Sequence, residues 1–159
     1  MQVVAAPADF KVTLDYKSNK KIWGTYSLLN ENVLITRGKD KWSKQKKKQL
    51  GDLIIKDGHL HFFKASRDNG LTKILIEKVP YKKEKESGKD NYKSNNKLNE
   101  KEFETIFAQG INELIPHKDL LDGEVKYSHI SCLKKSKGVL RCTITGQLFS
   151  KPKVASNLK

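Results

Sequence analysis

Between Phe10 and Tyr16 apolar and polar residues alternate one for one: Phe10, Val12, Leu14 and Tyr16 against Lys11, Thr13 and Asp15. Successive side chains of an extended chain point to opposite faces, so this period of two describes a strand with one face buried. The same patterning recurs between turn signals. Residues 22–29 and 33–37 flank Asn30-Glu31-Asn32, where asparagine tolerates the positive φ of a tight loop. Residues 53–56 and 59–64 flank Asp57-Gly58, the strongest short hairpin signal in the chain. Arg67-Asp68-Asn69-Gly70 turns the chain into residues 71–79, which Pro80 is expected to stop because it cannot donate to a strand ladder. The pattern predicts six short strands in a meander.

The two cysteines sharpen the reading of the C-terminal part. Cys132 and Cys142 flank a predicted three-residue loop, Ser136 to Gly138, with Gly138 at its left-handed position. Counting outward, Lys135 pairs with Val139, Lys134 with Leu140, Leu133 with Arg141 and Cys132 with Cys142. The cysteines then face each other at a non-hydrogen-bonded site, where Cα atoms lie about 4.5 Å apart, at the short end of what a disulfide accepts. A cross-strand disulfide would favour an exported, oxidising location, secreted or periplasmic. Two small buried hydrophobes that happen to be opposite is the other reading, and it goes with a cytoplasmic location. Residues 1–10 show no basic segment followed by an apolar stretch, so no signal peptide is expected there, although residues 2–8 resemble the tract that follows a cleavage site.

Residues 81–98 hold almost nothing apolar and are expected to form a mobile lysine-rich loop between the meander and a helix, within one domain spanning residues 1–159. The helix begins at Asn99 as N-cap, with Glu102 three residues on and Leu98 and Phe103 placed as a hydrophobic staple. Phe103, Ile106, Phe107, Ile111 and Leu114 make one stripe at helical spacing, and Pro116 ends it. The expected class is α+β: a mostly antiparallel, strongly curved sheet, made of the six-stranded meander plus a C-terminal hairpin, packed on one amphipathic helix.

Charge points to a partner class. The chain has 32 Lys+Arg against 18 Asp+Glu, a formal net charge of +14, and its only arginines are Arg37, Arg67 and Arg141. Lysine is a hydrated point charge that attracts phosphate without the planar fork that reads bases, so the expected partner is a polyanion, either nucleic acid or an anionic polymer or lipid surface. An acidic protein partner presents similar negative charge, as in an inhibitor-type interaction. The leading candidate surface holds Arg37, Lys39, Lys41, Lys44, Lys46, Lys47 and Lys48 with Trp42 among them, because lysines interleaved with an aromatic supply phosphate neutralisation and a stacking face. A solvated charged loop, with Trp42 folded into the core, is the alternative. Lys134, Lys135, Lys137 and Arg141 crown the closing hairpin as a second cluster, and a third runs through Lys82, Lys83, Lys85, Lys89, Lys93 and Lys97. No window is apolar for the roughly 18 residues a transmembrane helix needs.

Chemistry-bearing constellations are sparse. His59 and His61 lie two apart and so share a strand face, opposite Lys56 and Ile54, but a third zinc ligand at a recognisable spacing is missing. The same pair beside a lysine could support metal-free phosphodiester cleavage by general acid and base. No glycine-rich phosphate loop, nucleophile elbow or Cys-x-x-Cys pair is present, so a non-enzymatic binding module without a cofactor or metal is the expectation. Trp23-Gly24-Thr25-Tyr26 near the start of the meander resembles the glycine and tryptophan signature that opens lipocalin-type barrels, with the two residues adjacent and in reverse order. The inventory of eight strands and one helix is similar too, though here the helix precedes the last two strands. That resemblance implies a competing function, a small apolar ligand in a β-cup, and a cavity lined by Phe10, Leu14, Tyr26, Leu53 and Phe62 would identify it.

Overall fold

The computed structural model describes residues 8–19, 24–28, 33–37, 40–44, 51–65, 73–108, 124–135 and 138–149. Their elements in order are β1 (Ala8–Asn19), β2 (Thr25–Leu28), β3 (Val33–Arg37), β4 (Asp40–Lys44), β5 (Gly51–Lys56), β6 (His59–Ala65), β7 (Lys73–Glu86), β8 (Lys89–Ser94), α1 (Glu100–Ala108), β9 (Glu124–Lys134) and β10 (Val139–Phe149). The first strand pairs with the last, antiparallel and without interruption from Ala8 opposite Leu148 to Lys17 opposite Val139. The order β1-β2-β5-β6-β7-β8-β9-β10 therefore returns to β1, and the sheet is a closed antiparallel barrel of eight strands. β3 continues along the same edge of β1 as β2, and β4 pairs with β3.

This corrects the expected α+β architecture of an open curved sheet packed on a helix. An open sheet would leave the β1 and β10 edges with unpaired backbone groups, and closure removes both edges. The interior is then filled from every barrel strand: Phe10, Val12, Leu14 and Tyr16 of β1 meet Leu28, Leu53, Leu60, Phe62, Val79, Tyr92, Ile130, Leu140, Ile144 and Leu148, all buried. Eight strands enclose a space just wide enough for side chains to fill.

Residues 81–98 are the second correction. β7 runs through Pro80 to Glu86, turns at Ser87-Gly88 and returns as β8, with Tyr81 opposite Ser94 and Glu86 opposite Lys89. Pro80 has no N–H to give, but its carbonyl accepts from the Asn95 N–H (3.1 Å) and the ladder resumes where the Tyr81 N–H donates to the Gly58 carbonyl (3.0 Å). Ser87 (φ 53) and Gly88 (φ 78) both take positive φ, as Asp57 (φ 51) and Gly58 (φ 73) do at the expected β5–β6 turn. That is the two-residue hairpin geometry whose twist matches the strands.

The helix forms as its capping residues require. The Glu102 N–H donates to Asn99 Oδ1 (2.7 Å), and the Asn99 N–H donates to Glu102 Oε1 (2.9 Å). Leu98 and Phe103 are both buried beside this reciprocal cap. Phe103, Ile106 and Phe107 are buried, and Phe103 packs edge-on against Phe10 with ring centroids 5.5 Å apart. Phe10 stands near the start of β1, so α1 lies against one end of the barrel and is not a second layer across a sheet. The predicted continuation through Ile111 and Leu114 lies outside the described residues. Among the described residues no helix is long and apolar enough to cross a membrane.

Candidate ligand site at the barrel mouth

At the end of the barrel away from α1 stand the Asp57-Gly58, Ser87-Gly88 and Gly138 turns, and Gly24 leading into β2. The strands do not stop level with one another there. β6 pairs with β7 no further than His59 opposite Pro80, whereas the β7–β8 ladder continues to Glu86 opposite Lys89. The β7–β8 hairpin therefore rises past the neighbouring β5–β6 turn and forms one wall of the mouth.

Inside that wall lies a pocket of about 320 Å³ lined by Gly24, Tyr26, Ile55, Tyr81, Lys83, Tyr92 and Lys134. Its aromatic part is built across three strands. Tyr81 and Tyr92 meet edge to face with centroids 5.0 Å apart, and Tyr26 packs against the core from β2. Its cationic part lies beside them, with Lys83 Nζ 6.0 Å and Lys134 Nζ 5.8 Å from the centre of the Tyr92 ring. At such distances the negative face of the ring attracts each ammonium.

Register explains why Lys134 points inward. Cys132 and Lys134 are two residues apart on β9 and share its inner face. Cys132 stands directly opposite both Tyr92 of β8 and Cys142 of β10. The two cysteines are fully buried at disulfide distance, with Cα atoms 4.0 Å apart, so the predicted pairing register holds. The Lys135 N–H donates to the Val139 carbonyl (2.7 Å), the hydrogen-bonded pair that flanks the loop. Tyr92 thus stands level with the cysteine pair on β8, and Lys134 lies two residues beyond it on β9.

The mouth carries lysine ammoniums beside a carboxylate. Burial works against the Lys134 ammonium, but Tyr92 and Tyr26, a hydrogen bond to Tyr92 and the Asp90 carboxylate outweigh it and raise its pKa above the ordinary lysine value. Asp90 is the carboxylate at this rim, 2.7 Å from Lys85 Nζ and 3.6 Å from Lys83 Nζ. The hydrogen bond from Lys85, opposed by slight desolvation and aided by the nearby lysine charges, lowers the Asp90 pKa below the usual aspartate value.

Among the described residues the sequence-derived candidates fall into two groups. Arg37, Lys41, Trp42 and Lys44 lie on the β3–β4 pair, Arg37 opposite Asp40 and Trp42 opposite Ile35. Lys39, Lys46, Lys47, Lys48 and Lys137 lie outside the described residues. Lys134 lines the pocket, and Lys135 is exposed beside it at the rim. Of the expected cup lining, Phe10, Leu14, Leu53 and Phe62 are buried in the packed core, and Tyr26 alone reaches the pocket. His59 donates from Nδ1 to the Asp57 carbonyl (2.8 Å), and His61 stacks on Phe63 at 6.4 Å with Leu60 and Phe62 turned inward between them. Both histidines sit on the outer face, opposite Lys56 and Ile54 as read from sequence. Among the described residues no three potential metal ligands converge. Lys83 belongs to the third lysine cluster read from sequence, but Tyr81 and Tyr92 were missed because their segment reads as a loop; the Ser87-Gly88 dipeptide was the signal that pairs these strands.

Comparison with protein-family models, with curated proteins and with solved structures finds no match to this chain.

Proposed function

We propose that this chain is a non-enzymatic binding protein whose barrel mouth takes a small anionic ligand with a flat apolar body. One observation carries the reading: a single pocket of about 320 Å³ combines three tyrosine side chains with two lysine ammoniums. That volume lies at the small end of ordinary ligand sites, which combine apolar lining with a few placed polar groups. The tyrosines offer ring faces and edges, and the lysines offer a site for a carboxylate, sulfonate or phosphate. A purely apolar ligand fits less well, because it would cover both ammoniums without replacing their water. The cysteine pair at disulfide distance supports an exported setting for this binding protein.

Isothermal titration with 1-naphthoate and its neutral methyl ester tests the reading. The acid binds, the ester binds about tenfold more weakly because a hydrogen bond to a charged group is lost, and Lys134→Gln removes the difference. Equal affinity for acid and ester, or no binding of either, overturns it.

A further inference from the structure

A second basic and aromatic surface lies on the outer face of the barrel, turned away from the pocket. The β9–β10 register shifts between Thr145 and Gln147, so that Tyr127 and Ser128 together face Gly146. Ser128 turns inward and is buried, whereas Tyr127 remains 58% exposed on the outer wall. Glycine is required opposite them, because a Cβ at position 146 would come 2.9 Å from Ser128 Cα and 3.0 Å from the Phe10 ring. Tyr127 itself takes φ 59. Left-handed backbone is unfavourable for a bulky side chain, and glycine or asparagine would occupy it more cheaply. The bulge thus holds a tyrosine ring out to solvent at a position where its backbone disfavours tyrosine.

One lysine lies over that ring, and others follow along the wall. Lys97 Nζ is 5.5 Å from the Tyr127 ring centre, and on the adjoining residue Lys126 reaches over Phe149 at 5.0 Å. Further along the same wall, Lys82 and Lys93 stand directly opposite each other across β7 and β8, both exposed. Tyr92 and Ser94 are buried on either side of Lys93, so its side chain points outward. Like charges directly opposed across strands are unfavourable, and a bound anion relieves them.

We infer that this outer wall of β7, β8 and β9 is a track for single-stranded nucleic acid, with a base stacked on Tyr127 and phosphates placed by Lys82, Lys93 and Lys97. An unpaired strand offers base faces that a duplex hides, and any base stacks on an aromatic ring. Lysines without a bidentate arginine nearby position a backbone and leave sequence unread. A sulfated glycan would match the charge but leave the Tyr127 face without a base. The track goes beyond the mouth reading and shares no residue with it.

Fluorescence anisotropy with labelled oligothymidine, a duplex of similar length and a heparin oligosaccharide decides the matter, using wild type and three variants. Tyr127→Gly keeps the fold, since glycine takes φ 59 without strain, and weakens oligothymidine binding about tenfold or more at every salt concentration. Lys93→Gln with Lys97→Gln flattens the slope of log affinity against log salt by about 1.4, at roughly 0.7 per phosphate contact on a single strand. Lys83→Gln with Lys134→Gln, at the mouth, leaves oligothymidine binding unchanged. Absence of binding at low salt, undiminished binding by Tyr127→Gly, heparin or duplex bound as tightly as the single strand, or loss through the mouth variant each overturns the assignment.

Discussion

The Arg141 guanidinium and the Asp15 carboxylate face each other across the seam where the first strand meets the last: Nε donates to Oδ1 at 2.8 Å and Nη2 to Oδ2 at 3.0 Å. The hydrogen bond that Arg141 donates to Asp15 outweighs desolvation and raises the Arg141 pKa. Both side chains are substantially exposed, 45% for Arg141 and 30% for Asp15, so solvent screens the pair. Double-mutant-cycle thermal denaturation with Asp15→Asn and Arg141→Gln is expected to give a coupling of about 0.2 to 1 kcal/mol that shrinks at high salt. A larger, salt-insensitive coupling would mean that the pair holds the seam shut more strongly than its exposure allows.

The cysteine cross-link lies deeper, where Cys132 and Cys142 are both buried and separated by 10 positions in sequence. A disulfide closing so short a loop stabilises by about 2 to 3 kcal/mol in the chain-entropy account. Urea unfolding of protein with and without reductant should show that difference as a lower midpoint with little change in slope. Because Lys134 lies two residues beyond Cys132 on β9 and Tyr92 stands directly opposite Cys132 on β8, reduction should also weaken 1-naphthoate binding. An unchanged midpoint would show that the two sulfurs contribute only as buried apolar groups.

Several local features of this barrel are legible in the residues alone. The alternation of Phe10 to Tyr16, the Asp57-Gly58 turn, the Asn99 cap and the facing register of Cys132 and Cys142 each depend on neighbours a few positions away, where turn geometry and strand period decide. Closure is not of that kind. Asp15 meets Arg141 across 126 positions, and no local pattern near either residue announces the other. The β7–β8 hairpin was hidden for a different reason. Its residues from Lys82 to Lys89 are all exposed, so they lack the apolar alternation that marks a half-buried strand, and only the turn dipeptide betrays them. The pocket inherits both difficulties, since Tyr26, Tyr81, Tyr92 and Lys134 meet only after the barrel has closed and the hairpin has formed.

Tyr16 gives the barrel a pH limit. It is completely buried, and burial first, then the Asp52 carboxylate, push its hydroxyl far above the ordinary tyrosine value of 10.0. A group whose folded pKa is raised stabilises the native state below its unfolded pKa, and that contribution declines as pH climbs above it. Stability should therefore be insensitive to the ionisation of this residue at neutral pH and fall with rising pH above about 10, the unfolded tyrosine value. Circular dichroism across an alkaline titration should show Tyr16→Phe unfolding at higher pH than wild type. If the two unfold together, ionisation of other groups governs the alkaline limit.

If the mouth takes an anion as proposed, Asp90 competes for the same lysines as their resident counter-ion. Its carboxylate engages Lys83 and Lys85 and stands close enough to Lys134 to favour that ammonium's charge. An incoming anion must share Lys83 with it. Asp90→Asn removes the competitor while keeping shape, and is expected to tighten binding of 1-naphthalenesulfonate about three- to tenfold by isothermal titration. A sulfonate is the right probe because it remains charged in acid. Asp90 keeps its charge down through the ordinary aspartate value of 3.8, its folded pKa lying below that, so the wild-type affinity should hold steady from neutral pH to about 4 and rise only below it. The hairpin's own ion pairs fade over the same acid range, since a depressed carboxylate stabilises the fold above its unfolded pKa and loses that contribution as pH falls through the folded one. Sulfonate affinity that Asp90→Asn leaves unchanged would mean that the ligand anion does not sit between Lys83 and Lys134.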